Sequence, residues 1–244
     1  MKFTDSHCHL DFPELNHNLS ELGQQCYAKG IRRIIVPSVN PKHWQRVLLL
    51  SKQKNADINI ACGLGIHPWF LILQENHQAA NNDINLAFQR QQLNQAIINN
   101  RNDIVAVGEC GIDVFKAKKN TADEQAFNDN IKLQQDFFDM QLQLAKQYKL
   151  PVIVHHCQSH ALIIAQLKQH TLERAGVIHA FSGSYQQAKD YLDLGFKLGI
   201  GGTITYPRAK KTINAIKRLP LSSLLLETDA PAMPPMGMQG EHNS

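Results

Sequence analysis

Leu150-Pro151-Val152-Ile153-Val154-His155-His156 is an unbroken apolar run that ends on imidazole. A strand with one wet face alternates apolar and polar residues, whereas a run apolar at every position is buried on both faces, as in a parallel sheet covered by helices. Outward from the strand expected over Pro151–Val154, the same unit recurs along the chain. It is read at Lys2–Ser6, Arg32–Pro37, Ile58–Gly65 and Ile104–Gly108 on one side, and at Gly176–His179, Phe196–Ile200 and Ser223–Glu227 on the other. Polar segments with helical spacing lie between these runs, most clearly Thr121–Tyr148. There Phe127, Ile131, Phe138, Leu142 and Ala145 form one stripe. Thr121 stands three residues ahead of Glu124, the spacing of a capping box.

Eight strand–helix units with no Gly/Ser linker predict one domain over residues 1–244, an α/β TIM-type (β/α)8 barrel. The length of 244 residues agrees with the roughly 250 typical of such barrels. A doubly wound open sheet is the alternative that the pattern leaves. After the last strand, Pro231, Pro234, Pro235, Gly237 and Gly240 oppose a regular helix. Residues 230–244 are therefore expected to form an irregular segment over the barrel rim, with the last helix absent and some apolar barrel surface left exposed.

Hydrophobic residues make up 43% and charged residues 19%, ordinary globular usage that supports a core without metal or disulfide staples. The five cysteines are scattered and contain no C-x-x-C pair, which favours reduced thiols in the cytoplasm over a secreted framework. No apolar run is long enough to span a membrane, so no membrane partner is expected. The net charge of +4 is compatible with an anionic substrate and too small for a protein that coats nucleic acid. Twelve histidines are the more informative excess.

The strand ends of a barrel meet on one face, where the chemistry sits. The residues at or just past those ends are His7, His9, His67, Glu109, His155, His179 and Asp229. His7 and His9 form an H-x-H pair whose rings project to one side of a strand and can share a cation. Glu109 and Asp229 each follow an apolar strand, where a carboxylate is costly unless paired or metal-bound. Imidazole with hard oxygen suits Zn, Mn, Mg or similar ions rather than soft copper. His17, His43, His77, His170 and His242 lie in polar contexts and read as surface residues. His156 should face away from the barrel interior, and His160 is placed to reach the pocket from the loop after the fifth strand.

The segments DSHCHLD, GLGIHPW, AVGECGID, LPVIVHH, HAFSGS, GIGGTITYPRA and LLLETDAPAMPP, spanning residues 4 to 235, resemble the successive motifs of the TatD family. This is a group of metal-dependent hydrolases within the amidohydrolase superfamily, and the sequence is most similar to its YjjV-like branch. The resemblance implies two divalent cations per chain. His7, His9, Glu109 and Asp229 would surround one, and Glu109, His155 and His179 the other. His67 and Asp113 match positions near the substrate, and Arg208 stands in the YPRA segment on the rim. The activity implied is that of a cytoplasmic phosphodiesterase or deoxyribonuclease, with Asp229 taking the proton from a metal-activated water and a phosphoester, DNA included, as partner. A monomer is the expected state.

Two departures are visible. The family's H-S-R after the fifth strand is here His155-His156-Cys157, which removes a bidentate phosphate fork. The C-terminal segment after Asp229 is short and rich in Pro, Gly and Met where relatives continue into a helix. Basic residues Lys116, Lys118 and Lys119, with Arg208, Lys210 and Lys211, are expected in rim loops where they could meet phosphate. Two other readings remain open at this level: hydrolysis of a C–N or carboxylic ester bond by the same metal chemistry, and an inactive or unstable truncated fragment.

Overall fold

The computed structural model describes residues 1–53, 58–72 and 85–243. His77 lies outside the described residues. Eight parallel strands follow one another around a single sheet in the order β1 to β8. They are β1 Phe3–Asp5, β2 Ile31–Pro37, β3 Asn59–Leu64, β4 Ile104–Asp113, β5 Val152–Cys157, β6 Gly176–Ile178, β7 Lys197–Ile200 and β8 Leu224–Leu226. The helices are α1 Pro13–Asn16, α2 Leu19–Ala28, α3 Pro41–Lys52, α4 Leu86–Asn99, α5 Val114–Asn120, α6 Glu124–Tyr148, α7 His160–Gln169, α8 Tyr185–Asp193 and α9 Lys210–Ile216. This is the expected TIM-type barrel.

Between β1 and β8 the barrel closes by single bonds rather than a full ladder. The Ser6 amide donates to the Leu226 carbonyl at 2.9 Å, and the Asp229 amide donates to the His7 carbonyl at 2.9 Å. The Asp5 carboxylate ties the same seam by accepting from the amides of His7 and Thr228, both at 3.1 Å, and from the Thr228 hydroxyl at 2.7 Å. Each strand end that carries a candidate ligand is thus anchored to its neighbour.

The apolar pattern sorts as a two-layer barrel requires. Val152 and Val154 of β5 pack outward with Phe137, Phe138 and Leu142 of α6 in the main core. Ile153, of the same parity as His155, belongs instead to a small cluster with Ala106 and Val177, against which Ile35 packs. These residues form the floor under the candidate site.

The structure corrects three local expectations. The fourth strand does not stop at Gly108. Its register against β5 shifts between Val107 and Cys110, and pairing resumes through Asp113. Glu109 therefore lies within a strand rather than just past one. The long helix begins at Glu124, capped by Asp123, whose side chain accepts from the Ala126 amide at 2.8 Å. Thr121 ends α5, its hydroxyl donating to the Ala117 carbonyl at 2.9 Å. Aspartate accepts from the backbone at least as well as threonine, and two residues further on it meets the amides that need capping.

Among the described residues 230–243 there is no helix or strand, as expected. This segment lies over the rim: Ala232 and Met233 line the main cavity, and the Asn243 side chain donates to the Thr228 carbonyl at 2.7 Å. Phe3 and Leu226, on the two seam strands, are 36% and 56% exposed. No helix among the described residues is long and apolar enough to cross a membrane.

Candidate metal centre

The strand ends bring seven of the expected residues into one largely buried cluster. The Nε2 atoms of His7 and His9 face each other at 3.3 Å. Glu109 turns its two oxygens to opposite sides. Oε2 lies 3.2 Å from His7 Nε2 and 3.7 Å from His9 Nε2, while Oε1 lies 3.3 Å from His67 Nε2 and 3.1 Å from His155 Nδ1. Asp229 directs Oδ1 at three imidazoles, 3.5 Å from His7, 3.6 Å from His9 and 3.6 Å from His179. Three overlapping groups of metal-ligating type result: His7, His9 and Glu109; His7, His179 and Asp229; His67, Glu109 and His155.

The grouping differs from the sequence expectation in two places. His67, expected at the substrate, stands within the Glu109 and His155 group. His179, expected beside that pair, turns to His7 and Asp229. Its Nδ1 lies 3.1 Å from Glu227 Oε1, and its Nε2 lies 3.6 Å from Asp229 Oδ1. Asp113, likewise expected at the substrate, sits behind His155 with Oδ2 3.1 Å from Nε2, so that Nδ1 is the atom presented to Glu109. Arg208 is exposed, its guanidinium 4.6 Å from the centre of the Tyr206 ring, and it does not line the cavity.

These residues suit divalent cations on electrostatic grounds. Two imidazole nitrogens facing at 3.3 Å and flanked by carboxylate oxygens present several lone pairs to one point, the donor set a divalent cation takes. Burial holds the His9 pKa down at about 4, and burial also lowers that of His67. Both are therefore neutral and free to ligate. Burial would raise the Glu109 carboxyl, but the imidazoles of His67, His7 and His155 outweigh it and hold the group well below the usual carboxylate range. Burial would lower His155, yet bonds to Asp113 and Glu109 lift it to about 9. The cluster thus draws protons into positions that a cation would take, and metal binding would release them.

Two buried carboxylates that sequence reading did not assign to this duty, Asp113 and Glu227, each stand behind an imidazole, 3.1 Å from its far nitrogen. A carboxylate on the far nitrogen of a ligating imidazole sets its tautomer and its angle. Glu227 has room because position 199 is glycine: a Cβ there would stand 2.0 Å from Glu227 Oε2. Glu227 Oε1 also accepts from the Ala180 amide at 2.6 Å. Glu227→Gln keeps an acceptor but removes the charge. It is expected to weaken metal affinity about 10- to 100-fold, read by competition with a chelator, and unchanged affinity would show that the carboxylate has no such role.

The remaining expectations sort as follows. His156 faces Phe181 and Tyr191, with ring centroids 6.0 and 5.9 Å away, and only part of it reaches the cavity wall. His160 opens α7 and pairs with Asp190 at 3.1 Å, so it does not reach the pocket. His43 and His170 are not free surface groups, because they pair with Asp11 at 2.8 Å and Asp139 at 2.6 Å. His17 and His242 are exposed. Lys116, Lys118 and Lys119 lie on α5 rather than in a loop, and Lys210 and Lys211 on α9. Cys157 ends β5 half-buried, and burial raises its thiol to about 11. Missed by sequence reading were the buried amides of α6. Gln141 accepts from the Ile66 amide at 2.7 Å and donates to its carbonyl at 3.1 Å, clamping the residue before His67.

The cluster forms the floor of a cavity of about 530 Å³. The model of the family of TatD related DNases matches residues 4–244. The chain belongs to the TatD family. Among its relatives is the Escherichia coli K12 protein named uncharacterized metal-dependent hydrolase YjjV, 43% identical over 242 residues that cover 99% of this chain and 84% of that protein. A Haemophilus influenzae protein, also named an uncharacterized metal-dependent hydrolase, is 39% identical over 246 residues, covering 100% and 86%. The crystal structure of YjjV, the TatD homolog of E. coli K12, superposes with a TM-score of 0.83 at 42% identity, covering 99% of this chain and 84% of that one. A TatD family hydrolase from Entamoeba histolytica, 19% identical, shares the fold at a TM-score of 0.73 over 95% of this chain and 74% of its own.

Proposed function

We propose that this TatD family member is a metal-dependent hydrolase with a binuclear centre, acting on phosphoesters as a phosphodiesterase or deoxyribonuclease of TatD type. The observation that carries the reading is Glu109, whose two oxygens face two separate sets of imidazoles, His7 with His9 and His67 with His155. A carboxylate so placed would offer one oxygen to each of two cations. His7, His9, His179 and Asp229 would complete the ligands of one, and His67 and His155 those of the other. Two divalent cations bound there activate water and neutralise the oxygens of an in-line displacement at phosphorus.

The residues themselves divide the remaining work. The contacts of Asp229 to His7, His9 and His179 run through Oδ1, which leaves Oδ2 to take the proton of the attacking water. Burial would raise Asp229, but His179, His7 and His9 hold its pKa at about 2, so the group is ionised at neutral pH. Glu227 and Asp113 keep the imidazoles at fixed angles through the cycle. All five cysteines are free thiols, in keeping with action in the cytoplasm.

One observation favours a second reading, hydrolysis of a C–N or carboxylic ester bond. Among the described residues that line the cavity there is no Lys or Arg. The test is a panel of phosphodiester, phosphomonoester, carboxylic ester and amide substrates offered to protein loaded with Mn, Zn or Mg. Metal-dependent cleavage confined to the phosphoesters is expected. Cleavage confined to the carbonyl substrates would replace the phosphoester reading with the second one.

A further inference from the structure

We propose that Trp69 is a specificity-determining residue, a rigid platform on which a planar ring of the substrate stacks while the ester is held at the Glu109 cluster. The substrate class is then an ester that carries an aromatic ring or base close to the scissile bond. The proposal rests on the phosphoester reading only for the nature of that ester.

Large aromatic side chains left exposed on a cavity wall need a reason other than packing. Trp69 is 53% exposed and lines the cavity, whereas the other tryptophan, Trp44, is buried with its indole N–H donating to the Gly65 carbonyl at 2.9 Å. Exposure does not leave Trp69 loose. Its indole N–H donates to Asp113 Oδ2 at 2.6 Å, and that carboxylate is itself buried behind His155. Its backbone amide donates to His67 Nδ1 at 3.1 Å. The turn Pro68–Leu71 is fixed from below by Asn130, whose amide donates to the Leu71 carbonyl at 2.8 Å. An aromatic group already ordered loses little freedom when a ligand covers it, which is how rigid anchors favour binding.

Its position relative to the cluster is also that of a platform. The rings of His67 and His155 stand nearly at right angles to the indole, at centroid distances of 5.1 and 6.1 Å. Neither lies parallel on it, and among the described residues no other ring does. The Lys116 ammonium lies over one face of the ring, 4.7 Å from its centre, so a stacking group would share the indole with a cation or displace it. The indole stands beside the cluster, 5.1 Å from the His67 ring, so the proposal places a group joined through one ester oxygen against it. Phe70, Val39 and Met233 continue the wall in apolar form. Stacking is tolerant of ring identity because every base and aryl group offers a π face. Selection would thus fall between flat and non-flat esters rather than among bases.

The binding test uses tryptophan fluorescence of the metal-loaded protein with two probes of equal phosphate charge, adenosine 5′-monophosphate and ribose 5-phosphate. Saturable quenching by the nucleotide and none by the sugar phosphate is expected, with loss of the effect in Trp69→Leu. Equal quenching by both probes, or quenching that survives in Trp69→Leu, would overturn the proposal. The kinetic test compares aryl with alkyl phosphodiesters. Trp69→Leu should cut the aryl-over-alkyl preference in kcat/KM about 10- to 100-fold, and Trp69→Phe should restore most of it. An unchanged preference in Trp69→Leu would overturn the platform. Selective quenching with no phosphoester turned over would leave the platform in place and remove the phosphoester reading instead.

Discussion

Glu109→Gln is expected to bring bound metal below two equivalents per chain and to lower phosphodiester turnover by about 10³-fold or more, since metal activation accounts for several kcal/mol of the barrier. The substitution is nearly isosteric, so the barrel should fold. What changes is charge and donor character. A carboxylate offers lone pairs on two anionic oxygens, while an amide offers one carbonyl oxygen and an NH2 that repels a cation. Glu109 Oε2 faces His7 and His9, and Oε1 faces His67 and His155, so the amide can serve one side at most. The position is 2% exposed, and no water-borne counter-charge can substitute there. Elemental analysis of the purified variant reads the stoichiometry. Two equivalents retained in Glu109→Gln would mean that the bridge lies elsewhere.

Asp229→Asn should behave differently although it also exchanges a carboxylate for an amide. Its contacts to His7, His9 and His179 all run through Oδ1, which asparagine can keep as a carbonyl oxygen. Its backbone is left-handed with φ 57°, a conformation that asparagine tolerates as well as aspartate does. Metal content should therefore stay close to that of the parent chain. Turnover should fall by about 10² to 10⁴, the range for losing a positioned base. Occupancy and activity separate in this variant and fall together in Glu109→Gln. Near-normal turnover of Asp229→Asn with metal in place would remove Asp229 from the proton step.

The contrast between the two carboxylates also marks where sequence reading reaches its limit. The eight apolar runs locate the strands because burial on both faces leaves short, continuously apolar segments between polar helical ones, and Val152-Ile153-Val154 is the clearest case. The strand-end positions of His7, His155, His179 and Asp229 follow from that pattern with no knowledge of distances. Glu109 reads as lying just past a strand because it is a charge directly after the apolar run Ile104–Gly108. In the fold, β4 continues past it through a shift in register with β5. A one-dimensional pattern cannot record such a shift, because it depends on which residues of the neighbouring strand stand opposite.

The supporting carboxylates were illegible for a related reason. Asp113, Glu227, Glu109 and Asp229 all read as acids near strand ends, and only geometry separates the pair that faces the cavity from the pair that stands behind an imidazole. His43 and His170 read as surface residues because their partners, Asp11 and Asp139, are 32 and 31 residues away in sequence. The apolar stripe of α6 was visible, but its buried Gln134 and Gln141 resembled solvent-facing residues until their backbone partners, Asp113 and Ile66, came into place. Trp69 likewise reads as an apolar residue of the GIHPW segment, and its exposure and its bond to Asp113 belong to the folded chain alone.

The central claim is that two cations share Glu109 and act together on a phosphoester. Metal-stripped protein titrated with a single divalent cation, with phosphodiester hydrolysis followed after each addition, tests it most directly. Cooperation between two sites predicts little turnover during the first equivalent, a rise with the second, and a plateau at two. Full turnover at one equivalent, or none at two with both bound, would contradict it.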